Sequence, residues 1–374
     1  MSSKTAAFSR DLLSWHPQVS LARSTTSRMW MVSACAFLAV LQSSLADSFS
    51  SFSVALAATA GAVLVELAVN FKLKIRTLRD GSAVASALIF TLLLPNTFSP
   101  PLAFIGAAFA MIVVKHSFGG LGANWVNPAL GAWLFVRLSW PGAFNQALEN
   151  SPPVVLSELL SQGERDLQGS PLGLLAIRGM EFGGDFSLIP RGWLQGILGS
   201  WGTALGSFFN RTIFAFLGVE VPASYWNLLS SPGPGIIGDR GLLLFLLGTI
   251  VITAFQVSRS WIPALFLGVY ALLVRLFGAV FWGGSFFAGD LLFGLCYGGV
   301  MVSAFLLAAD PATGPKSVPG MAAVTVLAAS LAFIFRYLAF EPYGAFYVIA
   351  LLNILVPLIR EAEGRLFYYK GEYK

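Results

Sequence analysis

Three short polar stretches, whose side chains could bind a ligand, interrupt an otherwise apolar sequence. Asp80–Ser82, Gly119–Pro128 and Ala309–Pro315 bring carboxylates, amides and hydroxyls next to glycine and proline turns. Such groups can bind a cation, hydrogen-bond a cofactor or cap a helix. Polar turns are costly in a lipid bilayer unless protein or a water-filled cavity receives them. If the apolar segments span a membrane, these stretches are expected to form a site inside the protein.

Glu66 is the acid that lies well inside an apolar run, between Val65 and Leu67. A carboxylate within the membrane costs a few kcal/mol even on insertion scales, and it is therefore a functional candidate by default. We interpret Glu66 as a cation ligand or proton carrier of an ion pathway. The alternative is a structural pair with Asn70, Lys72 or a neighbouring span.

The polar stretches also provide candidates for cofactor binding. Asp80 can instead cap the helix that follows it, and Asn127 before Pro128 has the pattern of a helix start. Asp310 closes a span, so capping is less natural there. A glycine-rich turn lets the backbone approach a flat ligand. The candidates are Asp80, Gly81, Gly120, Asn124, Asn127, Asp310 and Thr313.

The scarcity of histidine and cysteine excludes several kinds of chemistry. The chain has only His16, His116, Cys35 and Cys296 of these types. We therefore predict no catalytic nucleophile with its base, no metal centre and no cluster held by four thiolates. Any redox centre carried by this chain is expected to be organic. A basic patch interleaved with aromatics, as in nucleic-acid sites, is also missing from the sequence.

Composition predicts an all-α polytopic membrane protein. Hydrophobic residues make up 56% and charged residues 11% of 374 residues, against about 25% charged in soluble domains. The mean hydropathy is +0.75. Ten apolar segments follow, at residues 29–47, 54–71, 82–95, 101–115, 127–141, 240–257, 261–280, 290–309, 319–337 and 342–359.

The distribution of basic residues predicts the orientation. If both termini are cytoplasmic and every segment crosses, 15 of the 23 basic residues, including every lysine, face the cytoplasm. Each half then has five crossings, so the halves form two inverted repeats. The polar stretches fall at cytoplasmic ends of spans from both halves, and we expect them to form two sides of one site.

The predicted organisation has five parts. Two five-helix repeats lie at 29–141 and 240–359, between a cytoplasmic N-terminal segment at 1–28 and a cytoplasmic tail at 360–374. The connecting region at 142–239 is expected on the extracytoplasmic face, with a membrane-associated helix in its second part.

Several motifs, in a fixed order, resemble the RnfD/NqrB family over about residues 20–360. They are Ser20–Met29, Asp80–Ala83, Val113–Gly122, Asn127–Ala129, Tyr225–Leu229, Gly235–Asp239, Asp310–Pro315 and Leu352–Ile359. The short segment before the first span is more similar to the D subunit of Rnf than to the sodium-pumping quinone reductase member.

The resemblance implies a ten-helix subunit with flavin cofactors, FMN or riboflavin, in a multi-subunit complex of the bacterial inner membrane. Such a translocase couples electron transfer between ferredoxin and NAD to Na⁺ or H⁺ movement. The family usually attaches FMN to a threonine of a Ser-Gly-Ala-Thr motif, whereas residues 166–172 lack that threonine. Either Ser170 is an atypical attachment point or the loop is structural. The residues 180–222 resemble an insertion of unassigned role.

Two other functions remain open from the sequence. An inverted-repeat channel or transporter without redox chemistry explains Glu66 and the broken spans, but it does not explain the family motifs. A structural anchor without flavin, holding the partner subunits of the complex, is the other alternative.

Overall fold

The computed structural model consists of helices joined by turns in the residues that it describes. These are 24–46, 49–74, 77–120, 122–149, 235–278, 280–282, 286–287, 289, 291–339 and 341–368, with 208, 211 and 212. Within these ranges no strand occurs, and one isolated bridge joins Pro95 to Ile236. Ser170, Asp290 and most of the connecting region, including 180–222 apart from 208, 211 and 212, lie outside the described residues.

The first half contains five long or medium helices and a short one that follows them. They are α1 Thr25–Ala46, α2 Ser50–Leu73, α3 Ser82–Leu92, α4 Pro100–Phe109, α5 Pro128–Ser139 and α6 Pro141–Glu149. A 3₁₀ turn, Leu78–Asp80, leads into α3, and a π-helical stretch, Ala110–His116, continues α4. Proline at the first turn favours the starts of α4, α5 and α6 because its fixed φ suits that position.

The second half begins with a short turn of helix. Its helices are α7 Ile237–Arg240, α8 Leu242–Ala254, α9 Trp261–Phe277, α10 Leu291–Cys296, α11 Val300–Val302, α12 Val318–Tyr337 and α13 Gly344–Tyr368. A 3₁₀ turn, Val280–Trp282, follows α9, and a π-helical stretch, Ser303–Leu307, continues α11. Each predicted apolar segment contains a helix, but the segment at 290–309 is not continuous. It breaks at Gly298 and Gly299, where φ is +80° and +68°.

The described helices identify an integral membrane protein. Four of them are long and apolar enough to cross a bilayer, namely Thr25–Leu45, Ser50–Leu73, Val318–Tyr337 and Gly344–Arg365. Ser82–Leu92, Pro100–His116, Leu242–Ala254 and Trp261–Phe277 are shorter apolar helices.

The helices approach closely at small residues, as is common between membrane helices. α2 packs on α4 where Gly61 meets the backbone of Phe104, and α8 packs on α1 where Gly248 meets Cys35. Across the halves, the buried Trp133 ring of α5 makes edge-on contacts with Phe346 and Tyr347 of α13. One buried core therefore includes helices of both halves.

Candidate functional site

A hydrogen bond joins the polar stretches of the two halves. Nδ2 of Asn127 donates to Oδ2 of Asp310 at 2.8 Å, between residues 183 apart in sequence. Oδ1 of Asn127 accepts from the N–H of Ala129 at 3.0 Å and so caps α5, as its position before Pro128 predicts. Asn127 thus uses one amide group to start a helix and to hold the other half of the protein.

Asp310 lies in the turn after the π-helical stretch of α11, where it organises its own loop. Oδ1 accepts from the N–H of Ala312 at 2.9 Å, and the hydroxyl of Thr313 lies 3.4 Å from Oδ2. Burial raises the pKa of the Asp310 carboxyl above its ordinary value, and the hydrogen bonds from Ala312 and Asn127 oppose that shift. Asp310 is therefore a half-buried acceptor with several donors, which is not the arrangement of a solvated loop residue.

A cavity of about 360 Å³ lies beside this link, between the two halves. Its apolar walls include Val32, Ile89, Ile252 and Phe305. Its polar lining residues include Arg28, Ser82, Lys115, Asn124, Asn127, Asp310 and Lys316. A second cavity of about 530 Å³ adjoins it and shares Arg28, Asp310 and Lys316 in its wall, and Thr313 lines this second cavity.

The glycine-rich loop before α5 folds back onto the end of the π-helical stretch that continues α4. Gly120 and Gly122 have φ of +92° and +89°, which only glycine adopts without strain. In the amide orientation that forms hydrogen bonds, Nδ2 of Asn124 donates to the carbonyls of Gly120 at 3.1 Å and Val114 at 3.2 Å. Asn124 therefore fixes this loop while lining the first cavity, whereas Gly120 lines neither cavity.

Asp80 approaches the cavity through Ser82. Its Oδ1 accepts from the Ser82 N–H at 2.8 Å and from the Ser82 hydroxyl at 2.6 Å, so Asp80 satisfies donors at the start of α3. Gly81 has φ +75°, and a Cβ there would lie 3.0 Å from the Trp30 ring. Asp80 and Gly81 thus shape the start of α3 and do not line the cavity.

Glu66 forms an ion pair with Lys115 in the interior. The Lys115 Nζ lies 3.0 Å from each carboxylate oxygen, and the exposed fractions of the two side chains are 2% and 0%. Nε2 of His116 lies 2.8 Å from Oε2, and the Thr77 hydroxyl donates to Oε1. The Thr77 hydroxyl and N–H also contact Oδ1 of Asn70, at 2.6 and 3.4 Å. Glu66 therefore pairs with a residue of a neighbouring span, Lys115, and not directly with Lys72.

A second buried basic residue, Arg336, lies near the end of α12. Its Nη1 donates to the Gly294 and Tyr297 carbonyls at 2.8 and 2.6 Å, and it lies 3.2 Å from the hydroxyl of Tyr270 in α9. Asp239 accepts from the N–H groups of Gly298 and Gly299, at 2.9 and 2.8 Å. Arg336 and Asp239 thus hydrogen-bond the backbone groups at the break between α10 and α11.

Some of the predicted site residues line a cavity and others do not. Asn124, Asn127 and Asp310 line the first cavity and Thr313 the second, while Glu66 reaches the first through Lys115. The sequence reasoning missed Lys115, Ser82 and His116 as partners. A signal for Lys115 was present, because it follows two valines at the end of an apolar run and a buried carboxylate needs a cation. Among the described residues, no group of three or more His, Cys, Asp or Glu side chains is placed to hold a metal ion.

Comparison with known proteins decides the family. The model of the NQR2, RnfD, RnfE family matches residues 12–366. The chain belongs to this family. Several members are similar to it over most of their length. In Shewanella sediminis, the D subunit of the "Ion-translocating oxidoreductase complex" is 30% identical over 349 residues, covering 92% of this chain and 93% of the relative.

Two further relatives carry more specific names. The D subunit of the "Proton-translocating ferredoxin:NAD(+) oxidoreductase complex" of Clostridium ljungdahlii is 27% identical over 284 residues, which is 76% of this chain and 73% of the relative. Its counterpart in the "Na(+)-translocating ferredoxin:NAD(+) oxidoreductase complex" of Acetobacterium woodii is 26% identical over 293 residues, which is 78% and 74%. These family members differ in their named ion at nearly equal identity, so similarity alone does not select the coupling ion.

Proposed function

We propose that this chain is the membrane core subunit of an Rnf-type complex that couples electron transfer between ferredoxin and NAD to translocation of Na⁺ or H⁺. The observation that carries the proposal is the Asn127–Asp310 hydrogen bond at the wall of a cavity between the two halves. Ligand sites are commonly concave, mostly apolar and provided with a few convergent polar groups, in volumes of about 300–1,000 Å³. The first cavity has these properties.

In this proposal the cavity holds a flavin, FMN or riboflavin, without a covalent bond. The residues fit an amphipathic ring system, since Ile89, Ile252 and Phe305 offer apolar walls, while Asn127 and Lys316 each keep N–H groups beyond those used in their own hydrogen bonds. A bound flavin supplies electron transfer. Asn127 would orient the polar edge of the ligand, and the apolar walls would exclude water from it.

Ion movement is assigned to the neighbouring pair of Glu66 and Lys115. Glu66 is fully buried and lies next to Lys115, which lines the cavity. A carboxylate in this position would hold a cation or a proton close to the electron carrier. Coupling would then arise because both events share Lys115 and its contacts.

We further infer two inverted five-helix repeats, with both termini cytoplasmic. The contacts of Lys115 and Arg336 support this arrangement. Lys115 ends the fourth span of the first half and contacts the second span and the start of the third, at Glu66 and Ser82. Arg336 ends the fourth span of the second half and likewise contacts Tyr270 in the second span and Gly294 in the broken third.

The test of the flavin is acid precipitation of the purified complex, followed by absorbance of the supernatant and the pellet. We expect flavin in the supernatant. Colour retained on this chain would instead indicate attachment, and mass spectrometry of the Glu164–Arg178 peptide, with Ser170→Ala as the control, would identify Ser170 as the site. A complex without any flavin would contradict the redox role of this subunit.

A further inference from the structure

The ammonium group of Lys115 occupies a small cage of oxygen atoms. Nζ lies 3.0 Å from Oε1 and Oε2 of Glu66 and 2.7 Å from Oγ of Ser82. These three atoms come from two helices, α2 and α3, and Lys115 enters from a third. Carboxylate and hydroxyl oxygens are also the ligands that hard metal cations prefer.

The surrounding contacts direct the oxygen lone pairs at this point. The Ser82 hydroxyl donates its proton to Oδ1 of Asp80, which leaves its lone pairs for Nζ. Thr77 and His116 contact the carboxylate of Glu66 from other directions and fix its orientation. The cage is therefore held by its own hydrogen bonds and does not depend on Lys115 alone for its shape.

The cage also has an opening. Both Lys115 and Ser82 line the first cavity, whereas Glu66 lies behind them. Lysine carries a compact charge on a flexible four-carbon stem, so Nζ can move toward the cavity without movement of the helix. A cation arriving through the cavity would meet the cage at the same place.

We propose that Lys115 is a tethered substitute for a monovalent metal cation of sodium size, which binds Glu66 and Ser82 when Nζ withdraws. This inference rests on the proposed function; it identifies Glu66 and Ser82 as the cation site and Lys115 as the group that competes with the cation. Because a buried carboxylate without a counter-charge is strongly destabilising, one of the two cations, and not both, would neutralise Glu66 at any time. Lys115 thereby sets the selectivity of the site and prevents it from standing empty.

The experiment compares the melting temperature of the purified complex in sodium chloride and in choline chloride at equal ionic strength. The informative variant is Lys115→Met, which removes the ammonium and leaves the oxygens. Lys72→Met, at an exposed lysine of α2, is the matched control. The double variant Lys115→Met with Glu66→Gln removes both the ammonium and the charged ligand.

We expect sodium, and not choline, to raise the melting temperature of Lys115→Met by several degrees, because a ligand that binds only the folded state stabilises it. The wild type, Lys72→Met and the double variant should show no sodium-specific shift. An equal response of Lys115→Met to the two salts would overturn the proposal.

If Lys115→Met does not assemble without a cation, its assembly becomes the measurement. Assembly that requires sodium supports the proposal. Failure to assemble at every sodium concentration, while the double variant assembles, contradicts it. Flavin content and electron transfer are measured on the same samples, so that loss of the redox function is distinguished from loss of the cation site.

Discussion

Stability does not account for the buried pair of Glu66 and Lys115. Removing two charges from water costs about as much as their attraction returns, and apolar residues of similar size are often as stable. Nevertheless, the protein surrounds Glu66 with Lys115, His116 and Thr77. A cluster that contributes little net stability and adjoins a cavity is better explained by function.

Substitutions of Asn127 separate its two roles. Asn127→Ala removes the cap of α5 and should cost about 0.5–2 kcal/mol, whereas Asn127→Ser keeps a capping oxygen and should cost less. Both variants lose the hydrogen bond to Asp310. We therefore expect both to lose flavin, measured by absorbance of the purified complex, and only the alanine variant to lose several degrees of melting temperature. Full flavin content in Asn127→Ser would show that the Asp310 bond does not shape the ligand site.

For individual residues, the sequence indicated which polar groups are costly to bury, but it did not indicate which residues contact them. Glu66 was identifiable because a charge within an apolar run needs a reason, and Asn127 because asparagine before proline starts helices. The charge distribution assigns Lys115, the last residue of the predicted segment 101–115, to the cytoplasmic side with the other lysines. Its real partner is 49 residues away on another helix, and residue spacing within one segment carries no information about such a contact.

Among the elements, the packing of α2 on α4 depends on the close approach of Gly61 to the backbone of Phe104. A Cβ at Gly61 would lie 2.4 Å from the carbonyl oxygen of Phe104, and this backbone atom has no rotamer by which to move away. At Gly268, on the exposed side of α9, a Cβ would meet nothing within 4 Å.

We expect Gly61→Ala to destabilise the protein by about 1–3 kcal/mol, the usual cost of overpacking. Gly268→Ala should leave the melting temperature unchanged or raise it, since alanine favours a helix more than glycine does. Thermal melting of the purified complex checks both variants. Equal loss in the two would mean that the α2–α4 contact does not limit stability.

Hydropathy was sufficient to find the helices but not their interruptions. A helix lies in each predicted segment because apolar length dominates that signal. The break at Gly298 and Gly299 was missed, because two glycines amid apolar residues also suit a continuous membrane helix. Asp239, which accepts from both N–H groups, and Arg336, which donates to the Tyr297 carbonyl, stabilise the turn there.

For the whole molecule, composition was enough to predict an all-α membrane protein, and the family motifs were enough to place it among its relatives. Asn127 and Asp310, which come from different halves of the sequence, are hydrogen-bonded at the wall of the first cavity. That both halves contribute to one functional site stays a prediction. The cavity could not be predicted, because its volume depends on how side chains of several helices fill the space between the halves.

The predicted orientation is tested by fusions to the C-terminus. Because all lysines fall on one side, we expect the end of α13 to be cytoplasmic. A fluorescent protein fused there should fluoresce, and alkaline phosphatase fused at the same place should be inactive. The reverse pattern would invert the assignment of both termini.

The π-helical stretch Ala110–His116 ties the length of its segment to the contacts of Glu66. In a regular α-helix, consecutive residues point about 100° apart, yet Lys115 and His116 both reach Glu66. A π-helical turn accommodates one residue more than an α-helical turn does. Deleting a single residue here would produce a more regular helix, but it would rotate one of these two side chains away from Glu66. A change in the length of this segment is therefore expected to disturb the contacts of Glu66 even where every side chain is kept.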